Sequence, residues 1–183
     1  VQAFFPGEEG GAALASVLLG QICPSGRLPV QMPRHPGGQP GTYLHAPLGA
    51  RSDVSAADPT PLYPFGHGLS YTSFSYGDLH LGSSVIPTDG EVTVGCVVTN
   101  TGSRAGTEVV QLYMEDPVAQ VTRPVRQLVG FARVDLDPGD SAQVVFRLHA
   151  DRTSFTGRKL DRVVEPGTIR MLIGTASSRA RSA

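Results

Sequence analysis

The feature that most constrains this chain is a period-two alternation of apolar and polar residues that begins after Tyr71 and runs almost to the C-terminus. Val92, Val94, Cys96 and Val98 share one face of an extended chain. So do Val110, Leu112 and Met114, then Ala142, Val144, Phe146 and Leu148, then Ile169, Met171 and Ile173. Successive side chains of a strand point to opposite faces, so each run predicts a half-buried β-strand. Turn signals at Asn100-Thr101-Gly102, Pro138-Gly139 and Pro166-Gly167 separate the runs, and further strands fit Phe74 to Leu81 and Val125 to Val134. About seven short strands in roughly 110 residues is the pattern of an immunoglobulin-like β-sandwich. The chain has no Trp, hence no Cys-Trp-Cys core, and the fibronectin type III variety is favoured.

Composition agrees and excludes several classes. With 22 glycines and 15 prolines in 183 residues, turn formers make up about a fifth of the chain against a usual share near 12%, so long helices cannot dominate. The 15 Lys and Arg balance 16 Asp and Glu, which leaves no electrostatic footprint for nucleic acid. The longest nearly apolar run, Ala12 to Leu19, is far short of the roughly 20 residues of a membrane span. No nucleic-acid and no membrane partner is expected. Cys23 and Cys96 have no neighbouring Cys or His and read as free thiols packed as small hydrophobes. The N-terminus lacks the basic start and apolar core of a signal peptide and reads as a chain entered midway.

Residues 1–5 read as the end of a buried strand, followed by a Pro6-Gly7 turn and a helix to about Leu19, stopped by Gly20. Leu14, Val17 and Leu18 form its expected buried face. A second strand is expected from Arg27 to Met32. Strand, Gly-rich turn, helix and strand make half of an α/β unit, whose sheet needs helices on both faces; the remainder is expected upstream. Bare sheet edges and apolar faces on 1–32 predict self-association through the truncated sheet, or cover by another chain. Residues 33–70 carry prolines 33, 36, 40, 47, 59, 61 and 64 with little periodicity, a long connector that Tyr43, Tyr63 and Phe65 should anchor to a surface. The expected organisation is therefore mainly β: a partial α/β unit (1–32), a connector (33–70) and a fibronectin type III-like sandwich (71–183).

Chemistry-bearing residues are sparse. Cleaving a glycosidic bond needs two carboxyl groups about 5 to 9.5 Å apart. Glu8 and Glu9 are the tempting pair, but adjacent helical residues diverge, and acids at a helix start commonly complement its dipole. Asp53 and Asp58 read as turn formers beside Ser52 and Pro59, and Asp135, Asp137 and Asp140 as solvated hairpin residues. Histidines 35, 45, 67, 80 and 149 lack zinc-ligand spacing, so no metal is expected. His67, between Gly66 and Gly68, is placed to approach a ligand or a neighbouring domain, or to pack within its loop. Asn100-Thr101-Gly102 fails as a glycosylation acceptor, no nucleophile elbow or phosphate loop occurs, and no cofactor is implied. Arg123, Arg126 and Arg133 read as solvated outer-face residues.

Six segments in order carry a resemblance: Pro6-Gly7-Glu8-Glu9-Gly10-Gly11 with Ala15-Ser16-Val17-Leu18-Leu19-Gly20; Cys23-Pro24-Ser25-Gly26-Arg27-Leu28-Pro29; Pro64-Phe65-Gly66-His67-Gly68-Leu69-Ser70-Tyr71-Thr72; Val98-Thr99-Asn100-Thr101-Gly102 with Gly106-Thr107-Glu108-Val109-Val110-Gln111-Leu112-Tyr113; Arg123-Pro124-Val125 with Leu128-Val129-Gly130-Phe131; and Val164-Glu165-Pro166-Gly167. Together they resemble the C-terminal end of a glycoside hydrolase of family 3 over residues 1–178, with Cys23 where Asn is usual. The resemblance implies an enzyme with an N-terminal barrel, an α/β sandwich domain and a fibronectin type III-like domain. Such enzymes release terminal β-linked sugars with retention, as β-glucosidases or β-xylosidases, through an Asp of the barrel and commonly a Glu before the PGxEGG segment. Neither position lies in this chain, so no catalytic residue is assigned. Glu8, Glu9, His67 and Arg123 remain candidates for a substrate rim or a domain interface. The implied partners are the upstream catalytic domains and, through them, an oligosaccharide or β-glycoside. The alternative, an independent carbohydrate-binding or adhesion module, is disfavoured because no Trp platform exists.

Overall fold

The computed structural model describes all residues except Pro40, Ser55, Ala57, Arg179 and Ala183, with backbone only for residues 181 and 182. Five long strands build the body: β1 (Phe74–Leu81), β2 (Glu91–Asn100), β3 (Gly106–Glu115), β4 (Gln127–Leu136) and β5 (Ser141–His149). A two-stranded hairpin, β6 (Phe155–Thr156) with β7 (Arg162–Val163), precedes β8 (Arg170–Gly174) and β9 (Arg181–Ser182). One antiparallel sheet has the order β1-β2-β5 and the other β4-β3-β8-β9. The two pack as the expected sandwich. The predicted strand at 74–81 coincides with β1, and the one at 125–134 is shifted by two residues to 127–136.

The alternation seen in the sequence forms the core. Val94, Cys96 and Val98 of β2 and Val110 and Leu112 of β3 are fully buried, joined by Met114, Val144, Leu148 and Ile173. Two irregularities bend the edge strands. β1 bulges between Gly77 and His80, where Asp78 adopts φ 50°, and β4 bulges opposite Leu112 and Tyr113; bulges of this kind twist an edge away from further pairing. Asn100, at the end of β2, is buried and uses its whole amide. Its Nδ2 donates to the carbonyls of Arg104 and Leu136, while Oδ1 accepts from Thr72 Oγ1 at 2.7 Å and from the Gly102 N–H. The β2–β3 turn is thus closed around a satisfied buried polar group.

The N-terminal expectations are corrected in three places. Residues 1–5 form no strand: Phe4 sits at φ 51° and Phe5 is fully exposed. Arg27 to Met32 is extended but pairs only through the bridge Met32 to Tyr63, flanked by Leu28 N–H to His67 C=O and Gly66 N–H to Leu28 C=O. Pro29 and Pro33 remove donors from that ladder. Without a described sheet in 1–32, the predicted sheet edge does not exist. The helix α1 (Gly10–Leu18) does form and ends as expected at Gly20, whose φ of 73° allows Gly20 N–H to reach Val17 C=O and Gln21 N–H to reach Ser16 C=O. Of its predicted buried face, Leu14 and Val17 are half-buried whereas Leu18 is 68% exposed.

Two outcomes are expected of the sandwich. Leu112→Ala should lower unfolding stability by about 2 to 5 kcal/mol, because the cavity lies between two sheets that cannot close on it; denaturant unfolding measures this. Burial pushes the Cys96 thiol up to about 11, and raises the phenols of Tyr76 and Tyr113 in the same direction. These groups ionise more readily when unfolded, so stability is full below the ordinary thiol value of 9.0 and falls as pH rises toward 11. Cys96→Ala should flatten that decline, read as the denaturant midpoint against pH.

Candidate functional site

β3 is buried along both faces. Its inward residues Val110, Leu112 and Met114 enter the core, and its outward residues are covered by polypeptide from the connector. Phe65 stacks on Tyr43 with ring centroids 3.9 Å apart and meets Tyr113 edge-on at 6.5 Å. Tyr113 donates its hydroxyl to Gln111 Oε1, and Gln111 Nε2 donates to the carbonyls of Gly66 and Thr175. A Cβ on Gly66 would lie 2.0 Å from Gln111 Oε1, and Gly66 has φ 79°. Only glycine fits there, because both the conformation and the space exclude a side chain. Backbone bonds add Ser177 N–H to Phe65 C=O and Val125 N–H to His45 C=O. The expected anchors Tyr43 and Phe65 therefore hold the connector against the sandwich, while Tyr63 stacks instead on His67 at 5.1 Å.

The strand also binds charge. Glu108 lies on the inward face at one end of β3, and Arg27 reaches it from the N-terminal segment, Nη2 to Oε1 2.6 Å, with side chains 9% and 3% exposed. The same oxygen accepts from the Val109 N–H. At the other end Glu115 receives two bonds from Arg126, whose Nη1 also donates to Ser177 C=O. Further ties link the N-terminal segment to the sandwich: Arg104 donates to Gly20 C=O at 2.6 Å, placing a cation at the helix C-terminus, Tyr71 donates to Val17 C=O, and Arg133 donates to Ser25 Oγ.

The sequence-derived candidates fall apart spatially. Glu8 and Glu9 are exposed ahead of the helix, Glu9 at the cap position without a capping side-chain bond. His67 is half-buried on the Tyr63 ring. Arg123 lies elsewhere, over the Phe155 ring at 4.6 Å and paired with Asp116 at 3.4 Å. Burial raises the Asp116 carboxyl above its usual value against the pull of Arg123. The expectation that Arg123, Arg126 and Arg133 are solvated is corrected for the first two, whose side chains are 11% and 21% exposed in ion pairs. Asp58 does form its turn, accepting from the Thr60 N–H at 2.9 Å. Cys23 and Cys96 are free, Cys96 in the core and Cys23 half-buried beside Ser70 Oγ. Among the described residues no group of three His, Cys, Asp or Glu is placed to hold a metal, and no helix is long and apolar enough to cross a membrane. Cavities among the described residues include one of about 310 Å³ at the sandwich end lined by Ile86, Met114, Val129 and Met171, and one of about 380 Å³ beside Cys23 and Asp135. The second is also lined by Asp137 and Asp140, the hairpin acids that flank the Pro138-Gly139 turn.

The residues that sequence reasoning missed are Arg27, Glu108, Gln111 and Glu115. One signal was present: Glu108 is in phase with Val110, Leu112 and Met114, so an acid on the apolar face demanded a buried partner. Nothing in sequence spacing named Arg27, which lies 81 positions away. Gly66→Ala should destabilise by about 1 to 3 kcal/mol from bulk alone. Gly139→Ala, also at positive φ but with nothing within 4 Å of the added Cβ, should lose less; paired urea titrations compare the two.

The sequence model of the glycosyl hydrolase family 3 C-terminal domain matches residues 1–71, and that of the fibronectin type III-like domain matches residues 108–177. The chain is 38% identical over 191 aligned positions to a periplasmic beta-glucosidase of Salmonella typhimurium, which covers 99% of it, and 42% identical to a beta-xylosidase of Formosa agariphila, which covers 98%. It spans 25% of either relative. A solved β-glucosidase from Erythrobacter marinus superposes with TM-score 0.92 at 42% identity, covering 99% of this chain and 24% of its own. A beta-glucosidase from Listeria innocua in complex with glucose superposes with TM-score 0.91 at 31% identity, covering 100% and 27%. Six motifs in order, a fibronectin type III-like sandwich carrying a docked N-terminal segment, and these matches together establish that the chain belongs to glycoside hydrolase family 3, as a C-terminal portion of such a protein.

Proposed function

We propose that this chain is the non-catalytic C-terminal part of a retaining, exo-acting β-glycosidase, a β-glucosidase or β-xylosidase that removes terminal β-linked sugars. In this reading the sandwich buttresses catalytic domains built by upstream polypeptide. The observation that carries it is the match along nearly the whole chain to a quarter of relatives named for those activities. The domain division proposed is 1–32, 33–70 and 71–183, supported by the family match that ends at residue 71. The apolar side chains bared on the N-terminal segment, Phe4, Phe5, Leu18, Leu19 and Ile22, support a packing surface for the upstream domains; in their absence the same groups would drive self-association. Glu8, Glu9 and His67 lie on or beside that segment and are proposed as interface or rim residues, whereas the internal pairing of Arg123 supports a role within the sandwich.

The test is hydrolysis of aryl β-glucosides and β-xylosides. The isolated chain should show no turnover, and the longer polypeptide with its upstream domains should show it. Removing residues 71–183 from that polypeptide should lower activity through loss of folded protein. Turnover by the isolated chain overturns the proposal, and saturable oligosaccharide binding by residues 71–183 alone would favour a carbohydrate-binding module instead.

A further inference from the structure

We propose that Arg27 and Glu108 are a positioning pair that sets one docking register for the N-terminal segment on the sandwich. This deepens the buttressing reading by naming the contact through which it acts, though the docking itself can be tested without any sugar chemistry.

Among the described residues, five side-chain ties join residues 17–27 to the sandwich and the turn that leads into it, and they differ in solvent access and charge; the one from Cys23 Sγ to Ser70 Oγ is part-buried but neutral. The bonds from Tyr71 to Val17 C=O, from Arg104 to Gly20 C=O and from Arg133 to Ser25 Oγ are exposed. Exposed polar contacts exchange readily with water and contribute little individually. The Arg27–Glu108 pair is withdrawn from water, and breaking one partner there strands a buried charge. It is therefore the tie whose loss the segment feels most.

The pair is poorly explained as a simple stabiliser. Arg27 Nε is buried without a hydrogen-bond partner, and the neighbouring Tyr76 phenol is held neutral by burial and by the Glu108 charge, which makes the cluster a costly way to fill the space. Well-packed apolar residues of similar volume usually hold such a site as firmly as an ion pair. An apolar contact, however, lets an extended segment slide. A guanidinium that finds its acceptor in only one place does not. The surroundings fit that role: the Arg27 Nη1 also donates to Ser25 C=O and Gly26 C=O, and a Cβ on Gly68 would lie 2.2 Å from Gly26 C=O. The Arg27 backbone and the Gly66–Gly68 loop are thus seated together, and Gly66 in turn binds Gln111 of the same strand that carries Glu108.

Amide hydrogen exchange on the intact chain tests this. The N–H groups of Leu28, Met32 and Gly66 bond across the seat, and in Glu108→Gln they should exchange at least tenfold faster, while amides of Val94 and Leu112 in the sandwich keep their rates. Arg27→Gln, which alters no strand residue, should give the same selective loss and guards against misfolding of the strand variant. The double variant Arg27→Met with Glu108→Leu should keep the melting temperature of the parent within a few degrees yet leave those three amides fast. Unchanged exchange in the single variants, uniform acceleration across the sandwich, or slow exchange at the three amides in the double variant would each overturn the proposal. None of these results depends on glycosidase activity, so failure of the positioning pair and failure of the functional reading are separately visible.

Discussion

The structure depends on β3 being covered on both faces. A strand in a solvated sandwich ordinarily shows one face to water, and its outward residues are free to be polar. Here the outward face carries Gln111 and Tyr113, both buried; the connector lies over them and accepts from the Gln111 amide, whose Oε1 in turn accepts from the Tyr113 hydroxyl. The long proline-rich stretch is therefore a third layer of the fold. Remove the Gly66 carbonyl and the buried Gln111 amide loses one of its two acceptors, a larger penalty than the loss of an exposed loop contact.

The same strand gathers the rest of the chain. Glu108 at one end takes Arg27 from the N-terminal segment, and Glu115 at the other takes Arg126, which reaches on to Ser177 near the C-terminus. The N-terminal segment is seated on the sandwich by polar ties, while several of its apolar side chains, Phe4, Phe5, Leu18, Leu19 and Ile22, are exposed. A segment whose polar groups are satisfied inward and whose apolar groups are bare outward has half of its packing supplied from elsewhere. That arrangement suits a piece that links two bodies.

Much of the sandwich was legible in the sequence because period-two burial is a local property. Val92 through Val98 and Val110 through Met114 announce their faces without knowledge of any partner. The helix and its Gly20 stop were legible for the same reason, since capping involves residues within one turn. The strands expected at 1–5 and 27–32 failed for the converse reason: a strand is defined by the neighbour it pairs with, and no described neighbour pairs with the first, while prolines limit the second to one bridge. The arginines were misjudged because alternation places a side chain on a face but says nothing of what covers that face.

The sequence alone determined the class of fold, the positions of the turns and, through its ordered motifs, the family, because each is written in residues close together along the chain. It also determined that the acids which cleave a glycosidic bond are not assigned to these residues. Only the tertiary structure decided that Arg27 meets Glu108, that Gly66 seats Gln111, and that Leu18 remains bare while Arg126 is drawn in. These contacts join residues tens of positions apart, and their energies arise from burial and exclusion of water, which exist only once the layers have closed on one another.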